Sequence, residues 1–169
     1  MAGKYQKYFL EYDPKMWPME RRPVMSRVEE SVAPGANFYL VHWVTPGFPA
    51  PLADMEYGGH PPHIHKYGEL LFHIGSNPDD PMDLGAEVEM CMGPELERYT
   101  ITRTCCIWIP PNFIHSPWRP VRIDRPWIFI EVNQGPYHTE KSYRQLLPRE
   151  VREKMDWSIW PDEGYEIPA

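Results

Sequence analysis

His60-Pro61-Pro62-His63-Ile64-His65-Lys66-Tyr67-Gly68-Glu69 is the stretch on which the reading of this chain turns. On an extended strand, residues i and i+2 face the same side. His63 and His65 therefore project together, with Ile64 turned away. Glu69 follows beyond a Lys-Tyr-Gly bend that lets its carboxylate return to the same point. Two imidazoles and a carboxylate form a mixed nitrogen–oxygen donor set suited to Fe(II), Mn(II), Ni(II), Co(II) or Zn(II), whereas calcium and magnesium want more oxygen. Further along stands Ile109-Pro110-Pro111-Asn112-Phe113-Ile114-His115. Pro-x-Asn-x-x-His describes a tight turn whose Asn tolerates positive φ, followed by a histidine entering a new strand.

The text around these segments is strand-like. Asn37 to Val44, Glu69 to Ile74, Ala86 to Met92, Arg98 to Arg103, Cys105 to Ile109 and Trp127 to Val132 are rich in β-branched and aromatic residues and are separated by turn signals. Twenty-one prolines leave room for one helix, from Pro148 through about Met155. No repeat of solenoid or propeller length is visible. The expected fold is all-β: a single jelly-roll barrel over residues 35–140, preceded by an N-terminal arm (1–34) and followed by a short C-terminal helix and tail (141–169) packed on the barrel.

His-x-His-x3-Glu followed by Pro-x-Asn-x-x-His resembles the paired motifs of the cupin superfamily, and the resemblance covers residues 35–133. It implies that His63, His65, Glu69 and His115 bind one divalent transition metal inside the barrel, iron or manganese by preference, with nickel, cobalt or zinc compatible. Gly58 and Gly75 approximate the flanking glycines. The chain departs in three places: Glu69 to Gly75 is one residue short, Asn112 replaces the customary glycine, and Arg119 stands where an asparagine is often found. None of these removes a ligand.

Four protein ligands leave an octahedral ion about two open positions, the arrangement of a catalytic site. The expectation is a metal-dependent enzyme acting on a small organic substrate. Dioxygenase, lyase and isomerase chemistries all occur in the superfamily, and fold alone does not choose among them. The competing reading is a non-catalytic protein that binds a small molecule through its metal. His73 shares strand parity with Glu69, which makes it a candidate acid/base, against the plainer role of a hydrogen-bonded core histidine. Arg119 and His42 are candidate substrate contacts, with exposed arginines paired to acids as the alternative for Arg119. His60 reads as a solvated loop residue or an alternative ligand, and His138 as a surface residue.

The formal charge of −7 and the lack of a clustered Lys/Arg run argue against nucleic acid. Cys91, Cys105 and Cys106 lack CxxC spacing, which points away from a disulfide framework or a thiolate zinc site. No stretch approaches the ~20 apolar residues of a membrane span. The expectation is a cytoplasmic protein, paired as a homodimer through aromatics of the arm and the barrel edges.

Overall fold

Alternating burial shapes the barrel. In β2 (Phe38–Val44) every second residue, Phe38, Leu40, His42 and Val44, is buried. In β4 (Glu69–Ile74) the inward set is Glu69, Leu71 and His73. The computed structural model describes residues 4–13 and 23–160. The other strands are β1 (Val24–Val28), β3 (His63–Ile64), β5 (Asp83–Met92), β6 (Glu97–Arg103), β7 (Cys105–Ile109), β8 (His115–Ile123), β9 (Trp127–Asn133) and β10 (Lys141–Ser142), followed by α1 (Arg149–Lys154). They form two five-stranded sheets, ordered β1-β2-β9-β4-β7 and β10-β3-β8-β5-β6, with antiparallel pairing throughout. The two sheets enclose a core that includes Val44, Leu71, Leu84, Val88, Met90, Ile109, Trp127 and Phe129.

Three features depart from the sequence reading. Residues 24–28, assigned to the arm, form β1 and pair with β2. Lys141 and Ser142, assigned to the C-terminal tail, pair with Ile64 and His63. Two-residue strands such as β3 and β10 carry no periodicity of their own, so pairing partners define them. The third is β8, which runs through Pro117 and Pro120. Its ladder with β5 shifts register between Glu87 and Val88 and between Met90 and Met92, and bulges are where a sheet tolerates residues without an N–H.

Pro148 stands immediately before α1, at its N-cap position, and the helix begins one residue later than the sequence reading placed it. Val151, Met155 and Leu147 pack against Cys91 and Leu96, forming a second apolar cluster. Residues 1–3 and 14–22 of the arm and 161–169 of the tail lie outside the described residues. No helix among the described residues is long and apolar enough to cross a membrane.

Candidate metal centre and its cavity

His63 and His115 are direct partners across β3 and β8. Glu69 opens β4 and is paired with Asn133 on β9 and Ile109 on β7. The two sequence motifs are stitched together by the backbone, with Asn112 N–H donating to His65 O at 2.8 Å. Asn112 takes φ 59°, the left-handed conformation its position in the turn requires. The four side chains His63, His65, Glu69 and His115 are 1–4% exposed.

Their hydrogen bonds decide what they offer. His63 Nδ1 donates to Pro61 O at 2.8 Å and His115 Nδ1 to Phe113 O at 3.1 Å. His65 Nδ1 donates to Thr139 O. A carbonyl oxygen only accepts, so in all three rings the N–H is on Nδ1, and the neutral ring carries its lone pair on Nε2. Those Nε2 atoms meet: His63 and His65 bring theirs to 3.0 Å. Two lone pairs at that separation call for a proton or cation between them. Glu69 Oε1 lies 3.2 Å from His65 Nε2, and Oε2 lies 3.1 Å from His115 Nε2. Glu69 Oε2 and His115 Nε2 are buried without an aligned hydrogen-bond partner. Asn133 Nδ2 donates to Glu69 Oε1 at 2.9 Å and fixes the carboxylate plane. This donor set fits a divalent transition metal: imidazole nitrogens in one tautomer, an oriented carboxylate, and orphaned lone pairs aimed inward.

The electrostatics of these side chains follow the same geometry. Burial, then the neighbouring charges of His115, His60 and His65, holds His63 well below the usual imidazole range. Burial works in the same direction on His65, but the Glu69 carboxylate outweighs it and raises that ring to about 9. Glu69 is held well below the usual carboxylate range because His65 and His115 outweigh the cost of its burial.

The donor set forms part of the wall of a cavity of about 790 Å³, within the usual size range for small-molecule sites of roughly 300–1,000 Å³. Phe38, Leu40, Phe48, Leu71, Trp118 and Phe129 supply an apolar side. Arg27, His60, Glu131, His138 and Glu140 supply polar groups.

The remaining sequence candidates fall in different places. His42 lines the cavity, its Nδ1 3.0 Å from Trp43 O and its ring stacked on Phe48 at 5.9 Å. His73 does not line it. This ring is fully buried, accepts from Trp118 Nε1 at 3.0 Å and stacks on Trp127 at 5.1 Å. Burial depresses His73 to about 4. Arg119 lies outside the lining; it donates to Glu89 Oε2 through Nε at 3.2 Å and to Ala53 O at 2.9 Å. Its guanidinium follows the acid-paired alternative because Glu89 is its cross-strand partner.

Two readings are corrected. His138 is a half-buried residue of the cavity wall and not only a surface one: it packs on the His65 ring at 5.1 Å and lies 3.3 Å from Glu131 Oε1. Partial burial, then the charge of His65, holds it below the usual imidazole range. His60 is held in a two-bond bridge with Trp118, His60 N–H to Trp118 O at 3.0 Å and the reverse at 3.2 Å, rather than solvated in a loop. Gly59 makes this approach possible, since a Cβ there would meet Trp118 O at 2.2 Å. Sequence reasoning missed Glu140, Glu131, Arg27 and Asn133. A period-two signal was present in His138-Thr139-Glu140 and in Glu131-Val132-Asn133, but without a neighbouring motif it had no anchor.

No family model matches this chain, and no curated protein matches it. Solved structures do. A protein with a double-stranded β-helix domain from Klebsiella pneumoniae is 15% identical, with a TM-score of 0.43 over 72% of this chain and 81% of that one. Oxalate decarboxylase from Lactobacillus farciminis, solved as a formate complex, is 14% identical with a TM-score of 0.50. That match takes in 88% of this chain but 42% of the decarboxylase, so this chain spans less than half of its length. The DMSP lyase DddQ from Ruegeria pomeroyi is 19% identical, with a TM-score of 0.41 over 79% of this chain and 55% of that one. The chain has the double-stranded β-helix fold of the cupins.

Proposed function

We propose that this protein is a metal-dependent cupin enzyme that acts on a small organic substrate held in the cavity. The observation that carries this reading is the convergence of three Nε2 lone pairs and the Glu69 carboxylate at the wall of a partly apolar cavity that opens to solvent. His63, His65, Glu69 and His115 would hold one divalent transition metal, which supplies a Lewis acid for developing negative charge on a bound substrate oxygen. The aromatic wall orients an apolar portion and excludes water. Asn133 keeps the Glu69 carboxylate from rotating, and Pro61, Thr139 and Phe113 carbonyls hold the three imidazoles in the ligating tautomer. His138, beside Glu131 at 3.3 Å, is a cavity histidine placed to take or return a proton, a role for which the sequence offered His73 as a candidate beside its plainer reading as a core histidine.

Titratable groups beside the donor set favour an enzyme over a non-catalytic binding protein. Substrates with a carboxylate, enol or aromatic part suit the mixture of Arg27 and aromatic wall, and the reaction would be of the dioxygenase or the lyase and isomerase type. The test is elemental analysis of purified protein beside His63→Ala and His115→Ala. About one equivalent of iron, manganese, nickel, cobalt or zinc, lost in both variants, is expected. It would be followed by oxygen-uptake and lyase assays with small carboxylates and diketones. Metal-free protein even after anaerobic reconstitution overturns the proposal.

Two copies would pair through the exposed Tyr5, Tyr8 and Phe9 and the edge strand β1. Sedimentation as a monomer at micromolar concentration removes that part of the proposal.

A further inference from the structure

The donor set overlaps a second one. His60, His63 and Glu140 also bring one ligand atom each to within 4.8 Å of one another, as His63, His65 and His115 do. We infer that His60, His63 and Glu140 form an outer cation site, through which a divalent transition-metal ion passes on its way to the inner set of His63, His65, Glu69 and His115. The inference rests on the inner set being a metal centre.

Four observations support it. His60 Nε2 is buried without an aligned hydrogen-bond partner and lies 3.4 Å from Glu140 Oε2. This repeats the close, unbonded nitrogen–oxygen pair that Glu69 and His115 make in the inner set. His60 is also built in, bridged to Trp118 on its backbone and packed edge-on against Trp160 at 4.4 Å. There is a gradient of access as well: the side chains of His60 and Glu140 are 27% and 6% exposed, whereas those of His65, Glu69 and His115 are 1–2% exposed. Both sets face the same cavity.

His63 decides the order of events. Its Nδ1 is held on Pro61 O, which leaves Nε2 as the nitrogen it offers to either set. One lone pair binds one ion, so the two sites are occupied in succession rather than together. An ion that keeps His63 while exchanging His60 and Glu140 for His65, Glu69 and His115 is never stripped of all ligands as it moves among buried side chains, where a bare charge is costly.

The test mixes metal-free protein with Co(II) in a stopped-flow instrument and follows the cobalt absorbance. Release is then followed into excess chelator. His60→Asn and Glu140→Gln should each slow loading and release on the order of tenfold, with the binding constant and a stoichiometry of one ion kept. An intermediate on the path lowers the barrier in both directions and leaves the end states alone. Far-UV circular dichroism checks that each variant folds, and either one is sufficient. A His65→Ala/His115→Ala double variant, which leaves Glu69 as the one inner donor not shared with the outer set, should bind Co(II) weakly, and adding His60→Asn should weaken that residual binding further. Unchanged rates in folded variants overturn the relay, as does a second equivalent of Co(II) bound by the unaltered protein. Residual binding by the double variant that His60→Asn leaves unchanged also overturns it. A parent protein that binds no Co(II) at all sinks the metal centre instead, which is a distinguishable failure.

Discussion

Two groups of histidines lie equally deep in this barrel and do different things. His63, His65 and His115 are 1–4% exposed, and His73 is 0% exposed. In the first group each ring gives its N–H to a backbone carbonyl, which turns the lone pair inward towards Glu69. In His73 the lone pair on Nε2 is already used, accepting the Trp118 indole N–H. Burial alone therefore does not mark a candidate ligand; what marks one is where the uncommitted lone pair points. His73 is the hydrogen-bonded core histidine, and its function is to satisfy Trp118, whose ring lines the cavity.

The largest effect that tests this contrast is on metal content. Glu69→Gln should lose bound metal through dialysis, while His73→Leu should keep the full complement, both read by elemental analysis. Equal loss in the two would erase the distinction. Next in size is Asn133→Leu, which releases the Glu69 carboxylate. It should weaken metal binding by about 10–100-fold without touching any ligand, measurable by chelator competition. An unchanged affinity would mean that the hydrogen bond to Glu69 Oε1 does not orient the site.

Smaller effects fall on stability. His73→Leu leaves the buried Trp118 N–H without a partner, which costs about 1–3 kcal/mol, seen as a lower urea midpoint at pH 7. The pH dependence sharpens the point. His73 is depressed to about 4 in the fold against 6.5 when free. The unfolded chain then binds more protons in that window, so the stability associated with neutral His73 is present above pH 6.5 and lost as pH falls towards 4. At pH 5 this amounts to about 2 kcal/mol. His73→Leu lacks this component, so its stability should approach that of the parent protein near pH 5. Parallel curves would show that His73 is not buried neutral.

The inner donor set was legible because its information is local. His63, His65 and Glu69 sit within one short segment, and strand parity plus one bend bring them together. Asn112 announced the turn that delivers His115, and its φ of 59° bears this out. The outer half of the site was not legible. Thr139 and Asn133 reach His65 and Glu69 across 74 and 64 residues of sequence, and nothing in their neighbourhoods encodes that distance. The same holds for Arg27, which lines the cavity from a strand that looked like an irregular arm.

The sequence by itself thus determined an all-β chain, its main strands, and the grouping of His63, His65 and Glu69, because those depend on alternation, turn chemistry and spacing over a few residues; His115 joined them only through the resemblance to the cupin motifs. Only the tertiary structure decided that β10 would close over β3 and set Glu140 beside His60, that Asn133 would steady Glu69, and that Arg119 would spend its charge on Glu89. Those outcomes depend on which strands become neighbours, and strand pairing is settled by burying the whole apolar surface of the chain at once.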